Sequence, residues 1–291
     1  MNEDRFERNV RFFGQVGQAK LRATKCAIVG VGGLGTHLVQ QLSLLGVGGL
    51  HLIDSEELDE PDRNRYVGAR HDDPVPGSRK VDLGERLVKE TDPTIEIVKV
   101  HDSFITEAGF AAIRGADYIF GCLDCEGARL ILTELCAAYA RPYFDLATEI
   151  IPGPVPEFGG RICLARDGNG CLVCLDVIDG AEAGRDLGGE AERRNRKAVY
   201  GLNEDDLGTS GPSVATLNGI IASHAATEFM VFATGVREPV RLLTYSGRDG
   251  KVRVSQDTPL PDCWYCKSVW GRGQDADVER YVRNGVGRWI R

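Results

Sequence analysis

The stretch Gly30-Val31-Gly32-Gly33-Leu34-Gly35 limits what this chain can become more than any other. It follows a short apolar run, Cys26-Ala27-Ile28-Val29, of the length of a buried strand. It precedes Leu34, Leu38, Leu42 and Leu45, spaced as on one face of a helix. A glycine-rich turn from strand to helix aims unpaired backbone N–H groups at an anion, and side chains there would keep a phosphate away. Asp54 closes the next apolar run, Leu50-His51-Leu52-Ile53, where a carboxylate typically takes a ribose hydroxyl. Gly30, Gly32, Gly33, Gly35 and Asp54, with Glu56 just beyond, are the expected nucleotide contacts. The same fingerprint suits a dinucleotide, so a nicotinamide-dependent oxidoreductase on a Rossmann fold is an alternative.

Downstream, apolar runs alternate with helical patterns. Strands are expected at 26–29, 50–53, 95–100, 117–120 and 143–146, and helices at 34–45, 79–90, 106–113 and 126–140. This rhythm predicts an α/β fold with a doubly wound, mostly parallel sheet and ligands at the carboxyl ends of its strands. Residues 4–22 read as an amphipathic helix that mixes Arg5, Arg8 and Arg11 with Phe6, Val10, Phe12 and Phe13, giving a helical arm over 1–24. The stretch 148–162, with Pro152, Pro154 and Pro156, reads as loop followed by strand, and 161–166 as a strand. Residues 176–212 are polar and glycine-rich, with Arg193, Arg194, Arg196 and Lys197, and read as a mobile crossover. Pro212 is placed to open a helix through Phe232, and Asp249-Gly250 to turn a hairpin between 240–246 and 251–255. With no clear linker, a single domain over 1–291 is expected.

The net charge of −8 argues against nucleic acid as the main partner. No apolar run approaches the ~20 residues of a membrane span, and no signal core follows the charged start, so a cytoplasmic protein is expected. Nine cysteines are an odd number for a disulfide scaffold, which points to metal-bound or free thiols. Two pairs, Cys171-x-x-Cys174 and Cys263-x-x-Cys266, can each place two thiolates on one ion. Together they would complete a tetrahedral, structural Zn²⁺ site that pins the C-terminal extension. Beyond Asp54, a long polar loop carries Asn64 and Arg65, and Lys80 starts the next helix. Two cations there suit a triphosphate better than a bridged pyrophosphate. Asp124, after the strand at 117–120, can hold Mg²⁺ or cap the helix that follows. Cys122 and Cys125 flank it, and are the only cysteines outside the CxxC pairs placed to meet a substrate.

Taken together, these residues resemble the ThiF/MoeB/HesA superfamily, the adenylation domains of ubiquitin-activating enzymes and their bacterial relatives. The resemblance runs from Arg5-Phe6-x-Arg8 through Gly30 to Gly35, Asp54, Asn64-Arg65, Lys80, Asp124 with Arg129, and both CxxC pairs in order. Gly211-Pro212-Ser213-Val214 before Leu217-Asn218 looks like the subgroup found with bacterial ubiquitin-like conjugation systems. The resemblance implies ATP-dependent adenylation of the C-terminal carboxylate of a small ubiquitin-like or sulfur-carrier protein, with a conjugating enzyme as a further partner. It implies Asp54 on the ribose, Arg65 and Lys80 on the phosphates and Asp124 on Mg²⁺. It also implies a homodimer in which Arg8 reaches the neighbouring site. The chain departs from the pattern in three places: Asp62-Arg63-Asn64-Arg65 where Asn-Leu-x-Arg is usual, Tyr66 where glutamine is usual, and Cys125 where asparagine follows the metal acid. It has no cysteine within 175–212, where many relatives carry an acyl-accepting thiol. An activating enzyme that stops at the acyl-adenylate is therefore expected, against the alternative of a non-catalytic module that docks a ubiquitin-like protein.

Overall fold

A computed structural model describes residues 3–188 and 211–290. Eight strands form one sheet in the order β3-β2-β1-β4-β5-β6-β7-β8. They are β1 (Lys25–Val29), β2 (Gly49–Ile53), β3 (Glu96–Val100), β4 (Tyr118–Gly121), β5 (Tyr143–Ile151), β6 (Glu157–Ala165), β7 (Leu242–Ser246) and β8 (Lys251–Val254). The first five strands in that order run parallel, and the last three join by antiparallel pairing.

Residues of β1 alternate between two cores. Cys26 and Ile28 pack with Leu38 and Leu42 of α2 (Gly33–Leu45) and Phe229 of α7 (Ala215–Thr234). Ala27 and Val29 pack with Phe110 of α4 (Glu107–Arg114) and Leu132 of α5 (Glu126–Ala138). Both faces of β1, β2, β4 and the start of β5 are covered, which is why those strands read as continuous apolar runs, whereas the edge strand β3 is largely exposed. The chain leaves β1 for β2 and β3 on one side, then returns to place β4 on the other. This switch opens a crevice at the carboxyl ends of β1, β2 and β4, the edge where Gly30, Asp54 and Asp124 stand.

Three expectations change. The 148–162 stretch is mostly strand: β5 runs to Ile151 and β6 starts at Glu157, so the prolines occupy only the hairpin tip. Within the supposed crossover, Gly180–Leu187 is a helix, α6, whose Asp179 carboxylate accepts from the Ala181 and Glu182 amides. Residues 189–210, including Arg193, Arg194, Arg196 and Lys197, lie outside the described residues. Pro212 precedes the helix, which starts at Ala215. No helix among the described residues is long and apolar enough to cross a membrane.

Candidate active site

The glycine turn is built against its neighbours. Gly30 has φ +90°, and a Cβ there would stand 2.6 Å from the Cys122 carbonyl oxygen. At Gly33 a Cβ would meet Asn218 Nδ2 at 2.6 Å, and the Arg65 side chain at 3.1 Å. Gly35 would strike the Gly30 carbonyl, whereas Gly32 faces open space. No side chain caps α2, so its leading amides are free for an anion. Asp54 fixes the turn: Oδ2 accepts from the Val31 N–H at 2.7 Å and Oδ1 from the Glu56 N–H at 2.8 Å. Burial raises its carboxyl pKa, and those amides and Lys80 oppose that rise.

Two cations converge beyond the turn. Lys80 is buried at the start of α3 (Lys80–Thr91), the wrong end of a helix dipole for a positive charge. Carboxylates hold it there: Nζ lies 2.6 Å from Glu56 Oε2 and 3.1 Å from Asp62 Oδ2. Burial pulls its pKa down, yet Glu56, Asp54 and Asp62 outweigh this and keep the ammonium above its ordinary value. Arg65 Nη2 sits 2.7 Å from Asp62 Oδ1, and its Nη1 donates to the Pro61 carbonyl and to Asn64 Oδ1. Asp62 therefore bridges both cations, a role the sequence reading missed; its spacing of three from Arg65 was the available signal. Asp62→Asn keeps the shape while removing the carboxylate that holds Arg65 and one of the two on Lys80, which keeps Glu56. Calorimetry should show ATP binding tightened roughly three- to thirty-fold; unchanged or weaker binding would show that the carboxylate orients the cations rather than competing for them.

Asp124 is exposed beyond β4 and caps no helix; the residue at the cap of α5 is Cys125, which makes no side-chain cap bond. It has no hydrogen bond or ion pair among the described residues, as a carboxylate available to Mg²⁺ would. The buried Arg129 holds the preceding turn through the Leu123 carbonyl, Nε at 3.0 Å. Cys125 donates to Asp186 Oδ2 at 3.2 Å, the same oxygen that receives the Gly127 N–H at 3.0 Å, so α6 is docked on the start of α5. Burial pushes the Cys125 thiol up to about 11. Cys122 is likewise raised by burial, and Cys26, Cys136 and Cys163 are core residues.

A cavity of about 730 Å³ opens from Asp124 and Arg129 across β5, β6 and β7. Arg161 lines it, with Nη1 3.3 Å from the fully buried Asp145 and Nη2 on the Val177 carbonyl at 3.1 Å. Asn218 stands between the cavity wall and the glycine turn, accepting from Thr148 Oγ1 at 3.0 Å. Arg161 and Asp145 carried no signal in the sequence, because charges on adjacent strands meet only through register.

The four CxxC sulfurs gather in one cluster. Sγ separations are 3.8 Å (Cys171–Cys174), 3.6 Å (Cys171–Cys263), 3.5 Å (Cys174–Cys266) and 3.7 Å (Cys266–Cys171). A tetrahedron with Zn–S near 2.3 Å has edges of ~3.8 Å, so the four thiols fit zinc and leave no open position. Arg8 is not at this chain's own site. It is exposed on α1 (Glu7–Ala23), whose leading end packs Phe6 toward Gly46, beyond the far end of α2 from the glycine turn. The 13 residues of α2 put ~20 Å between those ends, beyond the reach of an arginine.

A model of the ThiF family matches residues 6–265. Over 260 residues the chain is 25% identical to the adenylyltransferase and sulfurtransferase MOCS3 of Drosophila yakuba, covering 88% of this chain and 51% of that protein. It is 24% identical over 267 residues to the SAMP-activating enzyme E1 of Haloferax volcanii, covering 90% and 88%. It has the fold of E. coli MccB crystallised with MccA-N7isoASN, with a TM-score of 0.72 and 20% identity over 91% of this chain and 75% of that one. The chain spans about half the length of the MOCS3 proteins it matches.

Proposed function

The chain belongs to the ThiF family, and from that membership and the site's geometry we propose an ATP-dependent adenylyltransferase. It acts on the C-terminal carboxylate of a small ubiquitin-like or sulfur-carrier protein, or of a peptide, as one adenylation domain over 1–291. The observation that carries this reading is the meeting of Lys80 and Arg65 on Asp62 beside the uncapped start of α2. A carboxylate that bridges two half-buried or buried cations marks where phosphate oxygens would sit. A nicotinamide cofactor leaves both cations without a role.

In the proposed reaction the carrier's carboxylate oxygen attacks the α-phosphorus, a P–O bond forms, and the α–β bridging bond breaks with its electrons leaving on pyrophosphate. Asp54 takes the ribose and the α2 amides take phosphate oxygens. Arg65 and Lys80 exchange Asp62 and Glu56 for the β- and γ-phosphates and neutralise the leaving group. Mg²⁺ would draw further charge from the phosphates when held by Asp124, and Arg129 keeps that residue's turn in place. The family resemblance adds a homodimer in which Arg8 serves the second copy's site; the distance between Arg8 and its own glycine turn supports that arrangement.

The reaction stops at the acyl-adenylate. Cys122 and Cys125 flank Asp124, and burial raises both thiols, Cys125 to about 11, so at neutral pH they are protonated and poor nucleophiles. With ATP-Mg and a carrier ending in a free carboxylate, pyrophosphate exchange should appear with no adduct reversible by reductant. ATP, not NAD, should bind in calorimetry. A reducible adduct lost in Cys125→Ala would move the acyl acceptor into the nucleotide site, and NAD binding without ATP binding would overturn the adenylation reading.

A further inference from the structure

We propose that Asn218 is a further catalytic residue: its Nδ2 donates a hydrogen bond to a non-bridging oxygen of the α-phosphate while the carboxylate attacks. The assignment rests on the adenylation reading and adds a group to the same site.

Asn218 lies in the first turn of α7 and is only 2% exposed. Its Oδ1 accepts from Thr148 Oγ1 at 3.0 Å, and its Nδ2 donates to Ser213 Oγ at 3.2 Å. A side-chain amide carries two N–H groups. The second N–H of Nδ2 has no acceptor among the described residues. A buried donor in that condition is costly, and a ligand oxygen would satisfy it. The nitrogen also sits on the glycine turn. A Cβ at Gly33 would stand 2.6 Å from Nδ2 and 3.1 Å from Cγ and Cδ of Arg65, so both side chains crowd one flank of the α2 start. With the amide turned over, Oδ1 would face the same anion, so a phosphate on the turn selects the nitrogen.

The two neighbours of Asn218 belong to different spaces. Thr148 lines the cavity that reaches Asp124, and Gly33 begins α2. Asn218 is bonded to the wall of the first and packed on the floor of the second. On the adenylation reading the carboxylate arrives from the cavity, the triphosphate lies on the turn, and Arg65 and Lys80 hold the leaving phosphates. The α-phosphorus then falls beside Nδ2. As the new P–O bond forms, negative charge grows on the non-bridging oxygens, and the α–β bond breaks with its electrons leaving on pyrophosphate. An amide already held by two hydroxyls meets that charge without giving up a proton and with little reorganisation.

The test uses the full chain, Mg²⁺ and the two diastereomers of ATPαS, in which sulfur replaces one or the other α-oxygen. Sulfur accepts a hydrogen bond weakly. Calorimetry should show the wild type preferring one diastereomer, and Asn218→Ala changing that preference about fivefold. With a short peptide ending in a free glycine carboxylate, Asn218→Ala should lower kcat of ATP–pyrophosphate exchange roughly 100-fold and move the KM for ATP far less. Asn218→Asp keeps the shape and accepts from both hydroxyls but has no N–H. It should lose exchange at least as fully at an unchanged melting temperature, which separates the donor from a merely structural amide. A diastereomer preference unaltered in both variants, or exchange unaltered in Asn218→Asp, would overturn the proposal and leave adenylation standing. No exchange in the wild type would overturn adenylation, and the proposal with it.

Discussion

Lys80→Ala should remove roughly two to three orders of magnitude from carboxylate-dependent ATP–pyrophosphate exchange. The reason is the placing of the ammonium, buried at a helix start where the dipole disfavours it and held by three carboxylates. A lysine kept charged in such a place has a task that a surface lysine lacks. The fold should survive, because Glu56 is exposed and Asp62 keeps Arg65. The variant also tests the proposed dimer. In a mixed dimer of Lys80→Ala and Arg8→Ala chains, the chain that retains Lys80 receives Arg8 from its neighbour. Mixing the two inactive variants should therefore restore about a quarter of the activity, since half of the dimers are mixed and each has one complete site. No recovery in verified mixed dimers would mean that Arg8 does not act across an interface.

The second large effect is on stability. Cys263→Ser should abolish zinc binding, from one ion per chain by metal analysis to none, and lower Tm by about 10 °C or more. The sulfur edges already match a tetrahedron, so the metal needs little rearrangement. The loss should not unfold the whole chain. Beyond Cys266 the segment is also held by Val269, Val278 and Ile290, all buried, and by Arg280 and Tyr281 on the buried Glu134. A zinc-free protein of unchanged Tm would overturn the assignment.

The parallel half of the sheet and the glycine turn were legible because their chemistry demands particular residue types. Nothing but glycine fits at Gly30, and a paired CxxC spacing has few other uses. The β5–β6 hairpin was not legible. Gly159 and Gly160 disfavour a strand by propensity, yet a Cβ at Gly160 would stand 2.5 Å from the Ala147 carbonyl oxygen and from Ile221. Close packing of two strands and a helix selected glycine there, and a single sequence records only the weak strand former. The prolines next to it then spread the signature of a short tip over its flanks. Helix α6 was hidden in the same way: its polar composition reads as linker, while Asp179 and the buried Ala183 give it a cap and an anchor. Asp62 stood in view with its role unread, because the sequence shows the charges of a loop but not which of them meet.

The cysteine cluster joins Cys171 to Cys263, ninety-two positions along the chain. It also braces the loop whose Val177 carbonyl receives Arg161, part of the cavity wall. During synthesis, therefore, this clasp cannot close until residues 263–266 have been made, long after the glycine turn, Lys80 and Asp124. A cell short of zinc should accumulate chains whose nucleotide crevice is formed but whose cavity wall is slack. Such chains should take up ATP and hold an acyl partner poorly. Metal supply would then act on maturation, setting how many newly made molecules become competent rather than how fast each one works.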